Sequence, residues 1–247
     1  MFKLRKELGQ HLLLSQGVLR RIAESLLLSE DDILVEIGGG TGNLTKILLE
    51  YPLEKLYVLE IDTQMVEKLK VIKNKKLKVI QADATRFRFC SLGKRLKVTG
   101  NLPYNVASLI VENTVINKDC ITLGVFMLQK EVALKLAGKS KVSWLTLLLN
   151  TFYETEYLMS IPPRFFTPKP KVESGLIRIR RKYNAPALNI PEFKKFLTTL
   201  FCARRKMLKK KIPENILKKA GIDPSLRVEQ ISAEEIIRLY NVYEELR

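Results

Sequence analysis

Four consecutive residues, Asn101-Leu102-Pro103-Tyr104, hold the most specific chemistry in this 247-residue chain. An amine conjugated to an aromatic ring is a weak nucleophile, because its lone pair is delocalised. Two acceptors aimed at its two hydrogens draw the nitrogen toward a tetrahedral shape and free that pair. The Asn101 side-chain oxygen and the Leu102 backbone carbonyl are the candidate acceptors. Pro103 stiffens the turn, and Tyr104 offers a ring on which a base can stack. No strongly basic group is required, in keeping with a loop that lacks histidine. The competing reading is an Asx-type turn with a packed tyrosine. Position favours chemistry, because the loop ends an apolar strand-like run, where a doubly wound sheet places its ligands.

A second set of residues describes a pocket. Glu36-Ile37-Gly38-Gly39-Gly40-Thr41-Gly42 follows a β-branched run and opens a helix-like segment. Glycines 38, 40 and 42 give GxGxG, and Asn43 stands where the dinucleotide fingerprint has its third glycine. Missing side chains there let a ligand lie against the backbone. Glu60 ends the next run, where a carboxylate can accept from both ribose hydroxyls. Asp83 follows the third run and can accept from an adenine amine. A glycine turn alone is as often a tight connection as a site. Together with two carboxylates at successive strand ends it describes a nucleoside pocket without a phosphate cradle. A nucleoside bearing a sulfonium fits better than a dinucleotide, and a sulfonium carries its own leaving group, so no metal is needed.

These residues need a scaffold, and the chain between Asp32 and Arg180 supplies the pattern for one. Ile33 to Ile37, Leu56 to Ile61, Leu77 to Gln81, Leu96 to Thr99 and Ile121 to Met127 read as strands. Asn43 to Glu50, Thr63 to Val71 and Ser143 to Thr151 read as helices, and Glu154 to Ser160 and Gly175 to Arg180 as a closing extended pair. Strands alternating with helices imply an α/β, Rossmann-like, mainly parallel sheet with an antiparallel edge. Past Lys182 the uncharged, proline-bearing Tyr183 to Pro191 reads as a linker. Glu192 to Lys211, Pro213 to Ala220 and Ala233 to Leu246 have helical period and no strand signal. The expected division is a catalytic domain over 1–182 and a small all-α domain over 183–247.

Charge points to the partner. Forty-three Lys and Arg against 26 Asp and Glu give a net charge of +17. Such a surface displaces counterions from a phosphate backbone, although a heat-adapted lysine-rich surface is the plainer alternative. Arg164, Lys169 and Lys171 lie in the proline-rich 162–174 segment with Phe165 and Phe166. Phe166 is the candidate for a second stacking face opposite Tyr104, with a place in the core as the alternative. Lys194 to Lys211 includes Arg204, Arg205, Lys206, Lys209 and Lys210 and no acidic residue. On a helix beside the active-site rim, that run would position RNA phosphates. Cys90, Cys120 and Cys202 show no paired spacing, and His11 is the single histidine, so a zinc site is not expected and a reducing cytoplasm is. No signal-type run or membrane-length apolar stretch is present.

At this point the chain resembles the ribosomal RNA adenine dimethyltransferases, the KsgA family with its archaeal and eukaryotic Dim relatives. The likeness runs from Gly9-Gln10-His11-Leu12-Leu13 through Glu36 to Thr45, Glu60-Ile61-Asp62, Gln81-Ala82-Asp83-Ala84 and Asn101 to Tyr104. It continues through Pro162 to Val172 and closes at Phe201 to Leu208. The resemblance implies a class I methyltransferase fold with S-adenosylmethionine as cofactor and S-adenosylhomocysteine as product. It implies that His11, Leu13, Gly38, Gly40, Glu60, Ile61, Asp83, Ala84 and Asn101 line the cofactor pocket. The family usually reads GQNFL at the first motif, so His11 replaces an asparagine and Leu12 a phenylalanine. The implied substrate is a pair of adjacent adenosines in the terminal hairpin of small-subunit RNA, each methylated twice on N6. The implied partner is the pre-30S subunit, met by a cytoplasmic monomer with no membrane association.

Two alternatives stand beside this one. A resistance-type 23S RNA dimethyltransferase shares the sheet, but NLPY in place of NIPY and Arg204-Arg205-Lys206 argue against it. A non-catalytic assembly or transcription factor of the same ancestry is disfavoured by the intact loop and acidic pocket residues.

Overall fold

The apolar runs become strands of one twisted sheet, and the amphipathic segments pack on its two faces. The structure, a computed structural model, describes residues 11–202 and 205–246. A two-residue strand β1 (Leu12–Leu13) precedes helix α1 (Gln16–Ser25), which Ser15 caps by accepting from the Val18 amide. Then follow β2 (Ile33–Ile37), α2 (Asn43–Leu48), β3 (Lys55–Glu60), α3 (Thr63–Lys70) and β4 (Leu77–Gln81). Strand β5 (Leu96–Asn101), helix α4 (Ala107–Ile116) and strand β6 (Ile121–Gln129) come next. Helices α5 (Lys130–Leu136) and α6 (Trp144–Phe152) lead to β7 (Tyr153–Ile161), the short β8 (Phe166–Thr167) and β9 (Ser174–Arg181).

The sheet order is β4-β3-β2-β5-β6-β9-β7. Neighbours from β4 to β6 are parallel, and β9 is antiparallel to both β6 and β7. The mainly parallel sheet with an antiparallel edge is therefore what the chain forms. Both faces are covered, so the strands read as nearly continuous apolar runs. On β6, Leu123, Val125 and Met127 face one core with Leu34, Leu56 and Val58, while Phe126 and Leu128 face the other with Val35, Val98 and Ile177. Away from the main sheet, β1 pairs antiparallel with β8 and sets Leu12 opposite Thr167 and Leu13 opposite Phe166.

Beyond β9 the chain is helical. Helix α7 (Ile190–Phe201) is capped by Asn189, and α8 (Glu214–Lys219) and α9 (Ala233–Glu245) follow. Phe193, Leu197 and Leu200 are fully buried in the same cluster as Leu148 and Leu149 of α6, so these helices share a core with one face of the sheet. The expected helix from Glu192 to Lys211 ends early, at Phe201, where Cys202 turns extended with ψ 120°. Two interactions account for the stop. Leu208 is completely buried and donates its amide to the Leu226 carbonyl, which a continuing helix would forbid. The Lys211 ammonium donates to the Leu200 carbonyl at the helix end. Lys209 and Lys210 thus sit in a single 3-10 turn over Leu208–Lys210, not on the face of α7.

The cysteines also depart from expectation. Cys90 and Cys120 form a disulfide, with Cα atoms 5.3 Å apart and a separation of 30 positions in sequence. Their pairing needs the fold, because it joins the 3-10 turn over Phe89–Ser91 to the entry of β6. A cross-link closing such a loop is worth about 3–4 kcal/mol in the chain-entropy picture, or on the order of 10 °C in Tm for a chain of this size. Thermal unfolding with and without reductant should show that drop, and peptide mapping of unreduced protein should recover Cys90 joined to Cys120. An unchanged Tm under full reduction would remove the cross-link from any role in stability.

Candidate functional site

The sheet order reverses direction beside β2, whose neighbours are β3 on one side and β5 on the other. Loops leaving β2 and β5 diverge at such a switch point and open a crevice at the carboxyl ends of the strands. A cavity of about 370 Å³ lies there. Its walls include every residue expected to hold the cofactor, namely His11, Leu13, Gly38, Gly40, Glu60, Ile61, Asp83, Ala84 and Asn101. Leu102, Pro103 and Tyr104 line it as well.

The glycine loop is built by backbone conformation. Gly38, Gly40 and Gly42 have φ of +74°, +52° and +82°, in the left-handed region that side chains rarely adopt. Gly39 is required for a different reason, because a Cβ would stand 2.4 Å from Val58 and 2.9 Å from Leu69. Glu60 holds this loop in place. One carboxylate oxygen accepts from the Gly40 amide at 2.9 Å, and the other accepts from Ile61 and Asp62 at 2.8 and 2.9 Å. A carboxylate offers about four lone-pair sites. Three are taken, so Glu60 has one left for a ribose hydroxyl, and accepting a second requires Gly40 to let go.

Asp83 has more freedom. Its Oδ1 accepts from the Thr85 amide and hydroxyl, while Oδ2 stands 3.8 Å from the Arg86 guanidinium. The loop behind it is pinned by α4, whose Asn113 side chain donates to the Ala84 and Phe87 carbonyls at 2.8 and 2.9 Å. Ile61 and Leu109 both line the cavity with about half their surface exposed, giving apolar walls for the flat faces of a base. Two carboxylates beside such apolar walls fit an adenosyl group.

The acceptor side is fixed by hydrogen bonds. The Asn101 Nδ2 donates to the His11 carbonyl at 2.7 Å. A carbonyl cannot donate, so the amide nitrogen must be the end facing His11, and Oδ1 is the end left for another partner. Leu102 is clamped by its amide, which donates to Met127 at 3.0 Å, and by a fully buried side chain. Tyr104 is tethered through its hydroxyl, which shares a hydrogen bond of 3.0 Å with Ser174. On the opposite wall, Asn43 donates to the Leu13 carbonyl at 3.1 Å. Two asparagines thus hold alternate carbonyls of the strap formed by residues 11–13.

Other expected residues lie elsewhere. Phe166 is only 4% exposed, packs in the core and is not part of the cavity wall. It pairs with Leu13, and both side chains are buried in the same cluster as Ile161 and Leu176. Phe165 is half-buried, with the Arg164 guanidinium 5.1 Å from its ring centre. Lys169 and Lys171 are exposed, as are Arg205, Lys206, Lys209 and Lys210, and Arg204 lies outside the described residues. Lys194, from the same charge run, is taken up by Glu112 at 2.5 Å and by the Trp144 ring. Sequence reasoning missed Ser174 and Asn43 as supports. Nothing in local pattern marks a serine 70 positions from its tyrosine, whereas Asn43 was visible as the departure from the third glycine.

Glu36 was missed too, although it opens the glycine motif. It lines the cavity floor at 1% exposure and accepts from the Thr45 hydroxyl at 2.6 Å. Burial pushes its carboxyl up to about 8; the Thr45 hydrogen bond opposes that rise, and the nearby Glu60 charge adds to it.

Residues 1–245 match the ribosomal RNA adenine dimethylase family. The ribosomal RNA small subunit methyltransferase A of a Sulfurihydrogenibium species is 43% identical over 251 positions, covering 98% of this chain and 97% of the relative. The protein of the same name from Persephonella marina is 44% identical over 249 positions, covering 97% and 94%. A dimethyladenosine transferase from Plasmodium falciparum shares the fold with a TM-score of 0.83 at 24% identity, covering 95% of this chain and 98% of that one. The 23S rRNA methyltransferase ErmE superposes with a TM-score of 0.73 at 26% identity, covering 94% and 99%.

The raised Glu36 carboxyl has a measurable consequence. Its folded value lies above the unfolded one, so between about pH 4.5 and 8 the folded state binds the extra proton. Stability therefore falls as pH rises through that window, by on the order of 3–5 kcal/mol in total. Glu36→Gln mimics the protonated form, so unfolding followed from pH 5 to 9 should lose most of this slope, and the variant should be the more stable protein at pH 9. Identical slopes in both proteins would mean that Glu36 does not titrate there.

Proposed function

Because the chain belongs to the ribosomal RNA adenine dimethylase family, we propose that it methylates N6 of two adjacent adenosines in the 3′-terminal hairpin of small-subunit ribosomal RNA, twice each. S-adenosylmethionine, when bound, supplies an electrophilic methyl group and leaves as S-adenosylhomocysteine. Glu60 and Asp83 hold the ribose and the adenine amine of that cofactor, with Ile61 and Ala84 beside the ring. Gly38 and Gly40 let it lie against the backbone.

The observation that carries this reading is the fixed orientation of the Asn101 amide. With Nδ2 committed to the His11 carbonyl, Oδ1 is available to accept one N6 hydrogen. The other hydrogen goes, in this reading, to the Leu102 carbonyl, on a residue locked between Met127 and the core. Accepting both weakens conjugation of the lone pair with the purine. Pro103 holds the turn and Tyr104 stacks the base, a contact worth about 1–3 kcal/mol against the few needed to extrude it. Holding the amine in line is the larger contribution, about 7–11 kcal/mol when reactants sit near attack geometry.

The RNA is positioned by phosphate contacts from the exposed Arg164, Lys169, Lys171, Arg205, Lys206, Lys209 and Lys210, with Arg204 added from outside the described residues. The 1–182 segment carries the chemistry and the helical 183–247 segment carries RNA contacts. Small-subunit RNA is favoured over large-subunit RNA because relatives named for the small subunit are far more similar than ErmE. We read the working form as a cytoplasmic monomer acting on the pre-30S subunit and not on a membrane. Among the described residues no helix is long and apolar enough to cross one.

Replacing Asn101 by Ala removes one acceptor from the developing amine. By analogy with other preorganised electrostatic groups, the loss should be on the order of 10²-fold in transfer rate. RNA affinity, measured by filter binding, should stay within a few-fold of wild type. Transfer at the wild-type rate would overturn the role given to the acceptor pair.

A further inference from the structure

Asn113 buries a side-chain amide in α4, 5% exposed, and both of its amide hydrogens go outside the helix. Nδ2 donates to the Ala84 carbonyl at 2.8 Å and to the Phe87 carbonyl at 2.9 Å. Both partners can only accept, and Oδ1 accepts in turn from the Asn117 side chain at 3.1 Å, so the amide has a single orientation. The pairing ties α4 to the turn that follows β4.

That turn carries Asp83. On its amino side it is anchored to the sheet, where the Ala82 amide donates to the Glu60 carbonyl at 3.0 Å. On its carboxyl side Phe89 is completely buried. Between these anchors Asn113 grips the backbone at Ala84, next to Asp83, and again at Phe87. Thr85 holds Oδ1 of Asp83 through its amide and hydroxyl, so the direction of Oδ2 follows the backbone of the turn. The same helix supplies Leu109 to the cavity wall, four positions before Asn113. Helix α4 therefore sets both a flat wall and, through the turn, the carboxylate at its edge.

We propose that Asn113 is a specificity-determining positioning residue, holding the 83–87 turn so that Asp83 Oδ2 meets the 6-amino group of the cofactor's adenine. The proposal rests on the reading above that Asp83 takes that amine. Asn113 is not part of the cavity wall, so it acts through the Ala84 and Phe87 carbonyls. Without it those carbonyls lose their donor and turn to other partners, and the turn moves with them. A carboxylate shifted by about 1 Å no longer makes a hydrogen bond of ordinary length to a fixed amine. Ile61, Leu109 and Glu60 stay where they are, so the nucleoside still binds, with less preference for the amine.

The test is calorimetric titration of the full chain with S-adenosylhomocysteine and with its purine analogue, which carries hydrogen in place of the 6-amino group. Wild type should favour the amine by about tenfold or more, the worth of a hydrogen bond to a charged group. Asn113→Ala and Asn113→Leu both remove the donor, the first leaving space and the second filling it, and either variant alone is enough for the comparison. In each, affinity for S-adenosylhomocysteine should fall by about tenfold and that for the analogue by about threefold at most, so the preference shrinks to about threefold. On undermethylated small subunits the KM for S-adenosylmethionine should rise by about tenfold while kcat changes by less than about threefold. Thr114→Val is the control. The Thr114 hydroxyl donates to the Ile110 carbonyl within α4, so its loss perturbs the helix without touching the turn, and the wild-type preference should persist. An unchanged preference in the Asn113 variants would overturn the proposal, whatever happens to overall affinity or Tm. So would a preference lost equally in Thr114→Val, which would assign the effect to the helix as a whole. A wild-type protein that binds both ligands alike would instead sink the Asp83 reading itself, before any variant is compared.

Discussion

A carboxamide can present either of its ends to a ligand, and the hydrogen bond from Asn101 to the His11 carbonyl decides which one faces the cavity. That choice matters because an exocyclic amine on a purine has hydrogens to give and a lone pair withheld by the ring. A site that meets it with acceptors alone can free the pair without a strong base. The arrangement around Asn101 follows from this need. The tetrapeptide continues a central parallel strand, flanked by β2 and β6, so its backbone has little freedom to drift. Leu102 is sealed into the core, and Tyr104 is tied to Ser174 at the start of β9.

The cofactor side is held in the same manner, by backbone groups already committed. Glu60 braces the glycine loop, α4 grips the Ala84–Phe87 stretch through Asn113, and Asn117 reaches the Cys90 amide just beyond. The Cys90–Cys120 bond closes the same corner. A cavity with walls fixed before any ligand arrives loses less on binding to ordering of its own groups. Disulfides are uncommon in cytosolic proteins, but intracellular proteins of heat-adapted organisms are an exception. The high lysine content noted in the sequence is compatible with the same setting.

Much of this was legible in the chain before the fold was known. The parallel strands announce themselves as β-branched runs, and the residues at their carboxyl ends converge because parallel strands end on one edge of the sheet. Helix α4 did not stand out, and its composition explains why. Ala107 to Ile116 buries the polar Asn113 and Thr114 and leaves Leu109 and Ile116 half exposed, so no amphipathic stripe marks it. The basic run past Phe201 carries a helical period in its charges, yet burial of Leu208 bends it into a turn. Phe166 combines the residue type of a stacking platform with the burial of a core residue, and only the tertiary packing that encloses it separates the two. Ser174, Cys90 with Cys120, and the His11 contact with Pro168 all join residues far apart in sequence. Local spacing holds no information about such pairs.

The central claim, acceptor-driven transfer to adenine N6 in small-subunit RNA, is tested most directly by following the methyl group. The protein would be incubated with methyl-labelled S-adenosylmethionine and, in parallel, undermethylated small subunits and large-subunit RNA, and the products digested to nucleosides. The proposed chemistry predicts label in N6,N6-dimethyladenosine from the small subunit and none from large-subunit RNA. Label confined to large-subunit RNA, or label in the small subunit on any atom other than adenine N6, would contradict it.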